Sequence, residues 1–503
     1  MIKWTDSQRH AITCRGRDMI VSAGAGSGKT TVLTQRIIEK IEQGASVSDF
    51  LVVTFTNASA ADLRAKISDA LSGLAAAHPD VARYRAQLLL LPTARISTID
   101  SFYLSLVRSD FQTLGLSPRS RIMDAKEEKI RAFEVMDALI GDCFREGRKE
   151  FFLLADTFSD AKNKTPLRDI LWEIYEKLRA FANYFAWLED HEKTLRDDAE
   201  KLKDGLYSTS IGEWIREKLT QFYEEFMEAA DVFSDQAATF ASGNIEKIAD
   251  AIKSMLETEL AAAGGSYEGF LAAVGTAPKI PGISANKMDP EQREWFKTEK
   301  KRISDARKKV LETFDCGDTD TLREQFLKTA DVLHELCAFL KRFEEAFEKA
   351  KRADAVLSFS DTAHGALKLL EKDGQPTPFC LSLRSKIKEI FVDEYQDVSP
   401  LQDHVFELLS SGGDRFMVGD VKQSIYRFRN AYPDIFLNYK ERFADYREDG
   451  TETTARVFLR ENFRSGEKVV DFVNLLFSEV TGGTRNQREY EGEELVFYRK
   501  TEL

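Results

Sequence analysis

Residues 19–31 read MIVSAGAGSGKTT. An apolar run at 19–22 leads into a loop of small residues, which closes on Gly28-Lys29-Thr30 and continues into a helical pattern. Strand, small-residue loop, Lys-Thr and helix in that order describe a phosphate-binding loop. Small residues let successive backbone N–H groups converge on an anion. The lysine brings a charge to the β/γ-phosphates, and the threonine hydroxyl ligates Mg²⁺. Ala23, Gly24, Ala25, Gly26, Ser27, Gly28, Lys29, Thr30 and Thr31 are therefore expected to hold a nucleoside triphosphate, with Thr30 on the metal. Alanine stands at the first position, where the strict pattern has glycine.

A second site follows from FVDEYQD at 391–397, directly after an apolar strand at 388–392. Adjacent acids at the C-terminal end of a strand suit one metal ion and one water. Asp393 is expected to hold Mg²⁺ through its water shell, and Glu394 to polarise the attacking water. A third strand leads FMVGDVKQSIYRFR at 416–429. Gln423 offers a neutral amide donor to a γ-phosphate. Tyr426, Arg427, Phe428 and Arg429 alternate aromatic and basic, the composition that stacks on bases and pairs with phosphates. For Tyr426, plain packing is the competing reading.

A chain of 503 residues has room for about three domains. Hydrophobic residues at 43% support real cores. Mean hydropathy of -0.36, with no apolar run near the length of a bilayer span, argues against a membrane protein. The polar start MIKWTDSQRH has no signal-peptide core, so a cytoplasmic location is expected. Cys14, Cys143, Cys316, Cys337 and Cys380 lie far apart and read as reduced thiols without ligand spacing. A net charge of -13 gives no global support for nucleic-acid binding, but a local basic groove is compatible with it.

The texture of the chain changes twice. Residues 1–115 and 356–455 read as α/β, with strands expected at 19–22, 51–54, 95–98, 390–393, 416–419 and 457–459. Together they suggest one parallel sheet interrupted by a helical insertion at 116–355. Within the insertion, Ile170, Ile174, Leu178, Phe181 and Phe185 recur at helical spacing. A second stripe (Phe326, Leu333, Leu336, Leu340, Phe343, Phe347) marks a helix over 321–353, roughly 50 Å long at 1.5 Å per residue. Both stripes read as helix–helix core and not as base-stacking platforms. Residues 275–290 are the clearest internal loop.

Seven segments occur in a fixed order: WTDSQ (4–8), AGAGSGKT (23–30), TFTNASAADLRAKI (54–67), RISTIDSF (95–102), VDEYQD (392–397), VGDVKQSIYRFR (418–429) and ENFRS (461–465). In these the chain resembles superfamily 1 helicases of the UvrD/Rep type, most of all their AddA/RecB branch. The resemblance implies a RecA-like motor domain at 1–115 and 356–455, a 1B-like insertion, and the start of a second RecA-like domain at 456–503. It implies ATP-driven 3′→5′ movement on single-stranded DNA and action on duplex ends in double-strand-break repair. The partner it implies is a nuclease subunit of the AddB type. It also assigns roles. Gln8 reads the adenine edge, Arg36 lies beside the base, Phe463 stacks on adenine, and Arg464 reaches the γ-phosphate. Lys29, Glu394, Gln423 and Arg464 form the catalytic set. Phe55, Thr56, Asn57, Ser97, Thr98, Phe102, Tyr426, Phe428 and Arg429 contact DNA. Asp100 stands where this family usually has histidine, and no DNA contact is assigned to it.

After Arg464 the sequence runs through one helical pattern, 467–477, and ends in FYRKTEL with no GxxDxxD-type nuclease signature. A motor of this type closes two domains on ATP. The expectation is one wall of that cleft, with weak ATP binding, slow hydrolysis and no unwinding; exposure of Val469, Phe472 and Leu476 would favour a missing domain. The alternative to a motor is an ATP- and DNA-binding or partner-docking module. An unrelated small-molecule kinase leaves KQSIYRFR and TFTNASAAD unexplained.

Overall fold

The computed structural model describes residues 4–158, 165–239, 243–277, 289–481 and 494–498. They form two compact units. The first comprises Met1–Gly141, Thr165–Tyr184 and Phe343–Leu503, and the second Asp142–Lys164 and Phe185–Arg342.

The first unit is built on a six-stranded sheet: β1 (Asp18–Ala23), β2 (Phe50–Thr54), β3 (Arg95–Thr98), β4 (Glu389–Val392), β5 (Arg415–Gly419) and β6 (Thr454–Leu459). Their spatial order is β6-β1-β5-β4-β2-β3, and every pairing is parallel. Strands β1, β2, β4 and β5 are buried along their whole length. That is why they read as near-continuous apolar runs rather than alternating ones. Alternate side chains serve two cores. Met19, Val21, Val52, Phe391, Phe416 and Val457 face one. Ile20, Leu51, Val53, Ile390, Val392 and Met417 face the other. Phe391 sits edge-on to Phe50 at 5.6 Å and tilted against Phe416 at 5.7 Å.

Parallel strands share one C-terminal edge. The turns after β1, β2, β3, β4 and β5 all open there, the usual place for a ligand in an open parallel sheet. The helices next to these turns are α1 (Asp6–Thr13, in the approach to β1), α2 (Lys29–Glu42), α3 (Asn57–Ala77) and α4 (Ile99–Ser109). Thr5, Thr56 and Thr98 cap α1, α3 and α4 with their side chains.

Two boundaries differ from the sequence reading. Strand β6 pairs with β1 from Asp18↔Thr454 to Ala23↔Leu459, so a division at 455/456 cuts through a strand of this sheet. The apolar signal at 457–459 caught only its C-terminal half, because the strand opens Thr454-Ala455-Arg456 with a single apolar residue. The insertion is also narrower than 116–355. Residues 116–141, 165–184 and 343–355 cluster with the sheet, and Arg121–Ile122 pairs in parallel with Val356–Leu357.

Among its described residues the second unit is helical, with a core that includes Leu219, Tyr223, Phe233, Leu256, Phe270 and Phe296. Arg307 donates from Nε to both oxygens of the buried Glu259 at 3.0 Å, and Tyr223 donates to the same carboxylate at 2.9 Å. The helix expected over 321–353 spans Thr319–Ala353, with Leu336, Leu340, Phe343 and Phe347 buried. The stripe at 170–185 is displaced. Leu171, Trp172, Tyr175 and Leu178 are buried on helix Leu167–Leu178, while Ile170 and Ile174 are half-buried. The larger rings win the inner face, with Trp172 and Tyr175 packed against Phe343. Of the loop expected at 275–290, residues 278–288 lie outside the described residues.

Candidate nucleotide-binding site and nucleic-acid face

The loop after β1 turns sharply because Gly26 and Gly28 adopt positive φ, +76° and +86°. Gly28 is the residue before α2, so Lys29 and Thr30 open the helix. The N–H groups of that first turn have no partners within the helix and face the loop. Gly26 is needed for space as well. A Cβ there would lie 2.8 Å from the Arg464 Cβ and 3.0 Å from the Asn462 Nδ2.

Residues 462–465 are docked on the loop itself. Asn462 donates to the Ala25 carbonyl at 2.7 Å, and the Phe463 N–H donates to the Gly26 carbonyl at 3.0 Å. The Asn462 side-chain oxygen accepts from the N–H groups of Arg464 and Ser465 at 2.9 and 2.7 Å. Phe463 and Arg464 are thereby held at the phosphate loop. Phe463 is 44% exposed and packs at 4.5 Å against Tyr498. Gln8 also reaches the loop. Its side-chain oxygen accepts from the Thr5 N–H, and its Nε2 donates to the Ser27 carbonyl at 3.1 Å.

Across the sheet edge, the Lys29 Nζ is 3.1 Å from the Glu394 Oε2. Asp393 is 8% exposed, and its Oδ1 accepts from the Glu394 N–H. Burial, reinforced by the neighbouring Glu394 charge, pushes the Asp393 carboxyl up to about 6. Burial pushes Asp397 up to about 6 as well. A carboxylate held in deficit of positive charge beside a phosphate loop fits a hard divalent cation shared with nucleotide oxygens. Glu394 itself sits at φ 56°, ψ 46°, a left-handed conformation rare for a glutamate and common at functional turns. Gln423 donates to Asp420 Oδ2 at 2.7 Å.

Arg36 requires a correction. It is 1% exposed, on the face of α2 turned into the core, and donates from Nε and Nη2 to Glu389 Oε1 at 2.8 and 2.7 Å. Its Nη1 donates to the Ala11 carbonyl, and its guanidinium lies over Phe416. It bolts α2 to β4 and α1, and it does not face a nucleotide base. Arg36→Met is expected to destabilise this unit by about 3–5 kcal/mol, because Glu389 is left buried with a depleted set of partners. Denaturant unfolding followed by circular dichroism measures the loss.

The second cluster lines a cleft of about 350 Å³ formed by Phe55, Thr56, Asn57, Thr98, Asp100, Ser101, Leu104, Ile122, Phe359 and Thr362. Phe55 contacts Tyr426 at 4.6 Å, and Tyr426 contacts Phe428 at 5.8 Å. Phe428 is 76% exposed. These three rings form one aromatic row beside the cleft. Tyr426 therefore packs and belongs to the row at the same time. Ser97 donates to the neighbouring Thr98 carbonyl and is not part of the cleft lining. Phe102 is a second correction: it is 3% exposed and belongs to the core beneath the sheet, one helical turn beyond the Thr98 cap. The Arg429 side chain lies outside the described residues.

Sequence reasoning missed Phe359, which is 55% exposed in the same cleft. It opens helix Phe359–Leu370, whose start is a Ser358/Asp361 capping box. The box was a readable signal. Asp361 is gripped by Lys351 at 2.6 and 2.7 Å and by Arg179 at 3.1 Å. On the same helix, the His364 Nε2 bonds the Arg179 carbonyl at 3.0 Å, and burial, then the Arg179 charge, holds the imidazole down at about 3. The folded state thus keeps His364 neutral while the unfolded chain protonates it near 6.5. Its contribution is present above about pH 6.5 and is lost as pH falls toward 3. His364→Gln is expected to flatten the fall in melting temperature over that window relative to wild type, as calorimetry at stepped pH would show.

On helix Glu467–Thr481, Val469, Phe472 and Leu476 are 55, 63 and 49% exposed. No helix among the described residues is long and apolar enough to cross a membrane.

Residues 4–444 match the family described as UvrD/REP helicase N-terminal domain. Curated relatives include proteins named as the A subunit of an ATP-dependent helicase/nuclease. The one from Bacillus cytotoxicus is 31% identical over 98% of this chain and 40% of its own length. Those from Geobacillus kaustophilus and Clostridioides difficile are each 32% identical over 97% of this chain, covering 40% and 39% of their own lengths. The chain thus spans about 40% of the length of these relatives.

Proposed function

Because the chain belongs to the UvrD/REP helicase N-terminal domain family, we propose that it carries the ATP-binding and DNA-gripping part of an ATP-driven DNA helicase that moves 3′→5′ on single strands. Its sheet is read as the first RecA-like wall of the motor, and the segment beyond Leu459 as the start of the second. By kinship with the helicase/nuclease relatives, it would act at duplex ends in double-strand-break repair beside an AddB-type nuclease subunit.

One observation carries the reading: a phosphate loop, its Lys29–Glu394 pair and the 462–465 segment meet at a single sheet edge. In this mechanism the loop N–H groups receive the phosphates of ATP. Lys29 exchanges Glu394 for phosphate oxygen, which releases the carboxylate to accept a proton from the attacking water. Thr30 and Asp393 would hold Mg²⁺, which supplies charge neutralisation at the β/γ-phosphates. Arg464 adds a positive charge at the γ-phosphate from the second wall, and Phe463 offers a face for the adenine. Gln8 reads the adenine edge once one of its two present bonds is given up. Gln423 senses the γ-phosphate.

Single-stranded DNA would run along Phe55, Thr56, Asn57, Thr98 and Phe359, with its bases against Tyr426 and Phe428. Phe428→Ala is expected to weaken binding of an oligodeoxythymidylate about 5–150-fold, the range of about 1–3 kcal/mol for one lost base–aromatic stack. Fluorescence anisotropy measures it, and an unchanged affinity removes Phe428 from the DNA site. The wider reading is tested by ATP hydrolysis with and without single-stranded DNA. DNA-dependent turnover or affinity supports a motor half. Nucleotide and DNA binding with no mutual influence supports a static binding module.

A further inference from the structure

Gln396 belongs to the DEYQD segment, but neither the loop chemistry nor the DNA row uses it. Its side chain is 1% exposed and fully bonded. The Oε1 accepts from the backbone N–H of Asp420 at 2.9 Å. Because an N–H can only donate, this bond fixes which way the amide faces and turns the Nε2 toward the acids. The Nε2 donates to Glu394 Oε2 at 2.9 Å and to Asp397 Oδ2 at 3.3 Å. Glu394 Oε2 is the same oxygen that faces Lys29.

The approach is close by construction. Strand β5 ends in Gly419, where a Cβ would lie 2.5 Å from the Gln396 Oε1. Beyond it the chain is short and tightly wound. Asp420 accepts from the side chains of Gln423 and Lys422, and a single 3₁₀ turn, Val421–Gln423, separates Asp420 from Ser424. The Ser424 hydroxyl donates back to Asp397 Oδ1 at 3.2 Å. Two residues later Tyr426 enters the aromatic row against Phe55. A displacement of that row therefore pulls on Asp420 and Ser424, and both are tied to the Gln396–Asp397 pair.

We propose that Gln396 is a positioning residue: it fixes the Glu394 carboxylate with one end of its amide and the root of the 420–430 loop with the other, so that nucleic acid on the aromatic row and nucleotide on Lys29 bind with mutual dependence. The proposal rests on the nucleotide and DNA sites described above and names the link between them. Gln396 transmits through Glu394 and need not touch either ligand.

Two substitutions separate the bonds. Gln396→Glu keeps the acceptor for the Asp420 N–H but has nothing to donate to Glu394, and it sets a second negative charge beside that acid. Gln396→Met keeps the length and removes all three bonds. The experiment titrates the full chain with a fluorescent, slowly hydrolysed ATP analogue plus Mg²⁺, with and without saturating oligodeoxythymidylate, and then repeats the titration in the reverse order. Linkage requires the same coupling factor in both directions. In wild type a factor of about 5 or more is expected, the lower end of usual allosteric coupling. In both variants it should collapse to within about 2-fold of unity.

A merely structural glutamine would weaken both ligands and lower the melting temperature while the coupling factor stayed at the wild-type value, and that result overturns the proposal. Wild type that binds both ligands without coupling overturns it too, but leaves the two sites standing. Wild type that binds no nucleotide, or binds it as well after Lys29→Ala, defeats the site reading itself, and the proposal falls with it.

Discussion

Glu394→Gln is expected to cut ATP hydrolysis by about 10²–10⁴-fold while nucleotide stays bound at least as tightly as in wild type. The reason lies in the sheet-edge geometry. Glu394 is the acid whose oxygen lies 3.1 Å from Lys29, and it shares its corner with Asp393 and Asp397, both pushed up to about 6. If Glu394 is the proton acceptor proposed above, replacing its carboxylate by an amide removes that acceptor. It also removes one negative charge from a place that must receive phosphates, and it frees Lys29 from its ion pair. Rate and affinity should therefore move apart, and a loss confined to turnover is the signature of an acceptor. Steady-state turnover and equilibrium binding of an ATP analogue decide it. A variant that hydrolyses normally removes Glu394 from the chemistry.

Lys29→Ala should do the reverse and act on binding first. The Lys29 side chain is 14% exposed, so its charge is poorly screened at the mouth of the loop. Its removal is expected to weaken Mg²⁺–ATP by about 3 kcal/mol, on the order of 100-fold, by analogy with breaking a buried ion pair. Asp393, Glu394 and Asp397 would then meet the phosphates with no counter-charge from the loop. Isothermal titration with the ATP analogue measures the loss, and an affinity within about 3-fold of wild type would place the triphosphate elsewhere.

Much of this site was legible because its chemistry is local in sequence. The small-residue loop, the acid pair after a strand and the aromatic–basic run each occupy a few consecutive residues, and parallel strands bring their ends to one edge. The six strands could be read from apolar runs because four of them are buried on both faces. The errors come from what a linear pattern omits. Arg36 and Phe102 lie on helices that start at the site, and only the helix phase shows that both turn inward, toward Glu389 and toward the lower core. Phe359 was overlooked because nothing in its own neighbourhood except a capping box marks it. Its place in the cleft depends on Asp361 being held by Lys351 and by Arg179, the latter from a distant part of the chain. Strand β6 was cut short because its first half, Thr454-Ala455-Arg456, offers only one apolar residue.

On the reading proposed above, one sheet edge binds ATP through Lys29, the adjoining aromatic row binds single-stranded DNA, and the two are coupled. The most direct measurement follows Mg²⁺–ATP binding and turnover by the wild-type chain, with and without saturating oligodeoxythymidylate, beside Lys29→Ala. Nucleotide binding is expected to depend on Lys29 and to change in affinity or turnover when DNA is added. Nucleotide binding indifferent both to Lys29 and to DNA would contradict that reading.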